Sequence, residues 1–260
     1  MSPRRAQGYC DMTEKSTVQI ELTPGQRALV RQVIGYEMAE LQMVPDALPE
    51  GPASGSLCVR PTSAFFQRLG IYLAPGFLGA EECARLRAEA RRAEAKPGTV
   101  FERVEHWVDH VNENLRHART ANVAQSTVSS IASRLMKLRP TLERYLEARM
   151  TYCEPPQFVV YPVGGLFEPH PDATKNENLP ESMRRRRSSV IIFLNGEGSG
   201  PESYSGGVLT FYPPGDGLEQ YGFPLTGEEG LLVAFRPELV HGVTPITSGE
   251  RHAIVSFFVE

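Results

Sequence analysis

FVVYPV (residues 158–163), SSVIIFLN (188–195), GGVLTFY (206–212), GLLVAF (230–235), VHGVTPI (240–246) and HAIVSFFV (252–259) set the texture of the C-terminal part of this chain. Each run is short, rich in β-branched and aromatic residues, and bounded by glycine- or proline-containing turns, which is how strands of a sandwich or barrel read. Upstream the period changes. Phe77–Glu94 (FLGAEECARLRAEARRAE) has apolar residues at helical spacing and stops near Pro97-Gly98. From Ser126 to Met150, Ile131, Leu135, Leu138, Leu142 and Leu146 recur three or four apart, with Pro140 as the place where a helix would kink or divide. Helices followed by strands predict an α+β domain whose helices buttress one face of a β core, and a jelly-roll barrel of cupin type, open at one mouth, is the expected architecture.

The N-terminal part reads differently. Residues 1–22 are polar and expected to fray, and Thr23-Pro24 followed by GQRALVRQVIGYEMAELQMV (25–44) reads as a capped helix with proline at its first position. Pro45–Ser56, rich in proline, glycine and serine, is expected to be a linker or a loop draped over the core. The chain thus divides into an N-terminal extension, 1–60, and a main domain, 61–260. No fixed-period repeat is present, which argues against a solenoid.

At 260 residues with 41% hydrophobic content the chain can bury a substantial core. Its net charge of −4 gives no general attraction to nucleic acid or anionic membrane, so neither is expected as a partner. No apolar run approaches the roughly 18 residues of a bilayer span, and the start MSPRRAQGYCDM lacks the apolar centre of a secretory signal. A soluble, cytoplasmic protein is expected, of open oligomeric state. Cys10, Cys58, Cys83 and Cys153 are scattered without zinc-type spacing and read as reduced thiols.

Chemistry enters with His170 and Asp172. Two residues apart on an extended segment, their side chains point to the same side and can chelate one ion, and Pro169 and Pro171 restrict the backbone that presents them. His241 lies downstream at the head of another apolar run. Two imidazoles and one carboxylate on one face of a metal leave open positions, as in non-haem Fe(II) oxygenases. Arg251 then falls on a strand whose alternation puts it on one face with Ala253, Val255 and Phe257. An inward arginine there needs an anion, and its planar fork suits a carboxylate. The alternative is a turn-end arginine paired with Glu250 or left in water. His252 faces the other side under this alternation and is not counted as a ligand.

GGLFEPHPD (164–172), SSVIIFLN, GGVLTFY and LVHGVTPITSGERHAIVSFF (239–258) together resemble the prolyl-hydroxylase-like branch of the Fe(II)/2-oxoglutarate dioxygenases. The first segment is similar to collagen prolyl 4-hydroxylases; the insertion after Asp172 and the final segment are similar to the catalytic domain of prolyl 3-hydroxylases. The resemblance spans about residues 65–260 and is strongest at the C-terminal end. It implies a double-stranded β-helix holding Fe(II) through His170, Asp172 and His241, with Arg251 taking the distal carboxylate of 2-oxoglutarate where collagen 4-hydroxylases use lysine. It also implies O2 as cosubstrate, succinate and CO2 as products, and ascorbate as an optional reductant. Tyr161 resembles an active-site tyrosine that bonds 2-oxoglutarate or lines the substrate pocket. A Ser or Thr often follows the cosubstrate arginine by two residues; Ala253 stands there instead, which leaves Thr210 as the candidate second contact. Related halogenases replace the aspartate with a small residue, so Asp172 favours hydroxylation. Arg119 has a counterpart in prolyl hydroxylases but is read here as solvated.

The expected function is hydroxylation of an unactivated C–H bond of a small molecule or amino acid, since no peptide-binding module is apparent beyond the core. Alternatives are a peptidyl-prolyl or other protein side-chain hydroxylase, and a non-catalytic metal-binding cupin-like sensor. Desaturation, epoxidation and cyclisation share the same starting chemistry. A zinc hydrolase is disfavoured because no H-E-x-x-H helix is present. Ala173–Met183 is long enough to fold over the mouth as a lid, and Arg184–Arg187 after it reads either as a solvated face or as a basic edge for an acidic substrate. Gly196–Gly207 forms a second rim without the context of a phosphate-binding loop.

Overall fold

Alternate side chains of a single strand, Arg186–Phe193, feed two different cores. In the computed structural model Val190 and Ile192 pack with helical residues, while Ile191 and Phe193 face a second sheet. The structure describes residues 69–103, 107–173, 180–212 and 222–260, together with the short strands Val18–Ile20, Gln42–Val44 and Leu57–Arg60.

The strands that build the domain are β1 (Ile71–Ala74), β2 (Ala95–Pro97), β3 (Arg119–Ala121), β4 (Gln157–Tyr161), β5 (Phe167–His170), β6 (Arg186–Phe193), β7 (Leu209–Tyr212), β8 (Phe223–Leu225), β9 (Leu232–Phe235), β10 (Val240–Val243) and β11 (Arg251–Val259). The larger sheet runs β1-β9-β6-β11-β4-β3-β2, with Tyr152–Cys153 pairing beside β11. The smaller sheet runs β5-β10-β7-β8. Pairing within both is antiparallel. Ile71, Ile191, Phe193, Val233, Phe235 and Ala253 of the larger sheet meet Leu209, Phe211 and Leu225 of the smaller in one buried cluster. Two facing antiparallel sheets with apolar inner faces make the double-stranded β-helix, or jelly roll.

The far face of the larger sheet is apolar too, and two helices cover it. Cys83, Leu86 and Ala90 of α1 (Ala80–Arg92), with Ile131, Leu135, Leu142 and Leu146 of α2 (Gln125–Leu146), pack against Phe158, Val190, Ile192, Leu232, Ala234, Ile254 and Phe258. Truncating such a leucine to alanine costs about 2–5 kcal/mol. Pro140 lies inside α2 without dividing it. The helix stops at Leu146, short of the expected Met150, because Glu147 adopts a left-handed conformation at φ 52°.

Upstream, Gln42–Val44 and Val18–Ile20 flank Leu57–Arg60 in a small antiparallel sheet. The helix expected over 25–44 therefore does not reach Val44: strand pairing satisfies that backbone instead, and the expected fraying of residues 1–22 is interrupted by a strand. The rest of that helix and the Pro45–Ser56 loop lie outside the described residues. No helix among the described residues is long and apolar enough to cross a membrane.

Candidate active site

The pairing of β5 with β10 places His170 directly across from His241. Asp172 follows the end of β5 and is pinned by its backbone: its N–H donates to the Pro237 carbonyl at 2.8 Å, and the next N–H, of Ala173, donates to the same oxygen at 3.0 Å. One side-chain ligand atom each from His170, Asp172 and His241 lies within 4.8 Å of the others. His170 Nε2 is 3.6 Å from Asp172 Oδ1, and His241 Nε2 is 3.4 Å from Asp172 Oδ2.

Backbone carbonyls orient both rings. His170 Nδ1 sits 2.7 Å from the Glu168 carbonyl and His241 Nδ1 sits 3.0 Å from the Leu239 carbonyl. A carbonyl can only accept, so each Nδ1 carries the proton and each Nε2 lone pair is left for a cation. Stacking on Phe167, with ring centroids 3.6 Å apart, restrains His170, while Phe235 meets His241 edge-on at 4.6 Å. Ser189, on the inner face of β6, donates to Asp172 Oδ2 at 2.6 Å.

Burial alone would raise the Asp172 carboxyl; the adjacent His241 and His170 and the hydrogen bonds from His170 and Ser189 outweigh it and hold the group below the usual carboxylate range. Burial pushes His241 down to about 4. At neutral pH the trio thus offers an anionic carboxylate and, at His241, a neutral imidazole, a donor set that fits a divalent transition metal.

Arg251 opens β11 opposite Tyr161 of β4 and is only 1% exposed. Its Cζ lies 4.8 Å from the Phe193 ring centroid and 5.1 Å from that of Tyr161. Nε and Nη2 have no hydrogen-bond partner among the described residues. Pairing with Glu250 is excluded, because that carboxylate turns away to His252 Nε2 at 3.4 Å and Arg91 Nε at 3.6 Å. An enclosed guanidinium with an open two-nitrogen edge fits a carboxylate ligand. Arg251 thus faces the sheet-lined interior and His252 the opposite, helix-covered face, where it is equally buried, as the alternation predicts.

Other expectations fare unevenly. Thr210 is not near Arg251: Leu209 and Phe211 take the inner face of β7, so Thr210 faces out, its hydroxyl 3.5 Å from the Val208 carbonyl. Arg119 is exposed, in keeping with the solvated reading. Three of the four arginines in the basic run are tied to acceptors, while Arg184 and Arg185 stay exposed. Arg185 donates to the Glu260 carbonyl, Arg187 pairs with the Glu260 carboxylate at 2.7 Å, and Arg186 forks onto Glu154 at 3.0 and 3.1 Å with its Cζ 3.5 Å over the Phe257 ring. Of the expected lid, Glu181–Arg184 is a single helical turn and 174–179 lie outside the described residues. Ser189 is a site residue that the reading of the sequence missed, although period-two alternation through SSVIIFLN already carries it to the inner face.

Residues 156–259, a span containing all three metal-ligand candidates and Arg251, match the family model described as the 2OG-Fe(II) oxygenase superfamily. A PKHD-type hydroxylase from Beijerinckia indica is 31% identical over 186 residues, covering 71% of this chain and 75% of the relative. The chain belongs to the 2OG-Fe(II) oxygenase superfamily. Its fold is shared with a Pseudomonas putida prolyl-4-hydroxylase (TM-score 0.56, 24% identity, 75% of this chain and 95% of that one). It is shared also with a Trichoplax adhaerens prolyl hydroxylase solved with a hypoxia inducible factor peptide fragment (TM-score 0.55, 17% identity, 75% and 85%). As a 2OG-Fe(II) oxygenase the protein is an oxidoreductase that uses Fe(II), 2-oxoglutarate and O2. The sensor and zinc-hydrolase alternatives are thereby set aside.

Proposed function

We propose that the protein hydroxylates a C–H bond of a small molecule or amino acid, with Fe(II) held by His170, Asp172 and His241 and 2-oxoglutarate anchored by Arg251 beside Tyr161. The catalytic unit in this reading is residues 61–260, the part that contains both sheets and both helices. When bound, the iron and keto acid couple O2 reduction and decarboxylation to C–H oxidation, so that one oxygen atom ends in succinate and the other in the product. The chain's own contribution is placement. Leu239 and Glu168 fix the imidazole tautomers, Ser189 holds one carboxylate oxygen of Asp172, and Phe193, Phe211 and Phe235 wall the interior against water.

The observation that carries this reading is Arg251, a buried cation whose Nε and Nη2 meet no acceptor among the described residues, on the inner face that also presents Ser189 to the metal-ligand trio. The Asp172 side chain is 12% exposed and that of His170 23%, so the trio opens at one edge, where a small molecule or one protruding side chain could reach it. The second reading, a peptidyl substrate, is kept because the Trichoplax neighbour holds a peptide. The experiment is incubation with Fe(II), 2-oxoglutarate and ascorbate of amino-acid, metabolite and peptide mixtures, followed by mass spectrometry. A gain of one oxygen on a free small molecule supports the first reading, and the same gain confined to peptides replaces it with the second.

A further inference from the structure

The fold supplies a donor for the second contact to the cosubstrate carboxylate. Tyr204 and Arg251 are each 1% exposed, and among the described residues neither the Tyr204 hydroxyl hydrogen nor the Arg251 Nε–Nη2 edge meets a carbonyl or carboxylate acceptor. The two groups are neighbours: a Cβ on Gly207 would lie 3.3 Å from Arg251 Cδ and 3.4 Å from Tyr204 Cε2. Burial raises the phenol pKa, and the Arg251 charge and its contact with the phenol oxygen oppose that rise without cancelling it. The phenol is therefore a protonated donor at neutral pH. Adjacent buried donors with only the phenol oxygen between them leave N–H and O–H capacity unused, at a cost in free energy until an anionic acceptor arrives. Nε and Nη2 form one edge of the guanidinium, the edge that a carboxylate meets at two points.

The surroundings are built to bring these groups together. The carbonyl of Gly196 accepts the Tyr204 N–H at 3.3 Å and the N–H of Gly198 donates to the Tyr204 carbonyl at 2.9 Å, fixing the tyrosine in its turn. A Cβ on Gly227 would lie 2.0 Å from the Tyr204 hydroxyl oxygen, and one on Gly207 would lie 3.3 Å from Arg251 Cδ. Glycine at both places leaves the room that phenol and guanidinium occupy. Tyr204 also shares a buried cluster with Tyr161, whose ring flanks Arg251.

We propose that Tyr204 binds the distal carboxylate of 2-oxoglutarate, donating its phenolic hydrogen to one carboxylate oxygen while Arg251 takes the carboxylate along its Nε–Nη2 edge. This rests on the reading of Arg251 given above. The test is calorimetric titration of 2-oxoglutarate, and separately of pyruvate, into the anaerobic Fe(II)-loaded enzyme and its Tyr204→Phe variant. Pyruvate keeps the keto-acid head and lacks the distal carboxylate. Loss of one hydrogen bond to a charged group should raise the dissociation constant for 2-oxoglutarate roughly tenfold or more and leave that for pyruvate within about twofold. An unchanged affinity for 2-oxoglutarate, or an equal loss for both acids, would overturn the assignment. Arg251→Lys run alongside separates the two ideas: if it weakens 2-oxoglutarate and Tyr204→Phe does not, only Tyr204 is wrong, whereas indifference of both variants removes Arg251 as well.

Discussion

Ser189 Oγ donates to Asp172 Oδ2 at 2.6 Å, joining the inner face of β6 to the carboxylate between the two histidines. The bond orients an oxygen that also lies 3.4 Å from His241 Nε2. Loss of such a supporting contact typically weakens metal binding about 10–100-fold. Ser189→Ala is accordingly expected to raise the Fe(II) dissociation constant by at least about tenfold while leaving the apo-protein melting temperature nearly unchanged. Titration with Mn(II) or Fe(II) under anaerobic conditions checks it; equal affinity would mean that Asp172 is oriented by its backbone alone.

Replacing His170, Asp172 or His241 with Ala should abolish succinate production and remove stoichiometric iron, with circular dichroism preserved for the exposed-edge residue His170. Asp172→Gly should in addition end hydroxylation while opening a coordination position. Normal product formation by His241→Ala would exclude that residue as a required ligand.

Arg251 makes a prediction with opposite signs for stability and binding. In the apo protein two nitrogens of its buried guanidinium lack an acceptor among the described residues, so Arg251→Met should leave apo stability unchanged or raise it by about 1–3 kcal/mol, while eliminating saturable 2-oxoglutarate binding. Arg251→Lys should keep weak binding, since charge remains and the fork is lost. Urea denaturation paired with calorimetry reads both; a large loss of apo stability in the Met variant would show that the guanidinium is already satisfied.

His241 gives the apo protein a pH dependence. Its folded pKa is about 4 against 6.5 when free, so above pH 6.5 neither state holds the proton and folding is unaffected. Between 6.5 and 4 the unfolded chain binds a proton that the folded one refuses, and stability falls, by up to about 3 kcal/mol at the lower end. Asp172, lowered in the folded state, continues the loss at still lower pH. Denaturation midpoints of metal-free protein at pH 7.5, 5.5 and 4.5 should fall in that order, and the fall should be shallower in His241→Asn.

The arginine run should behave as individuals. Arg186→Gln breaks a largely buried fork with Glu154 and a ring contact with Phe257 and is expected to cost about 2 kcal/mol, whereas Arg187→Gln, on a more exposed pair, should cost less than about 1. Equal, negligible effects in urea titrations would return the whole run to solvent.

Period-two alternation was enough to put Arg251 and His252 on opposite faces of their strand, and H-x-D spacing was enough to pair His170 with Asp172, because both depend on local backbone geometry. The helices were legible from Leu135, Leu142 and Leu146 for the same reason, although Pro140, read alone, overstated the chance of a break that packing on the sheet overrides. What escaped depends on contacts distant in sequence. Tyr204 reaches Arg251 only because glycines at 207 and 227 let a turn approach the strand. The Glu260 and Glu154 partners of the basic run come from the far end of β11 and the approach to β4. Thr210 was named by residue type and excluded by its face.

The turn Pro237–Leu239 contains no metal-ligand candidate, yet one of its carbonyls anchors the backbone of Asp172 and Ala173 and another selects the tautomer of His241. Carboxylate and imidazole therefore share a mounting and shift together when the turn shifts. A change confined to those three residues could retune affinity for the ion without altering any atom that touches it, which makes this turn a place where metal selectivity can drift while the ligand set stays constant.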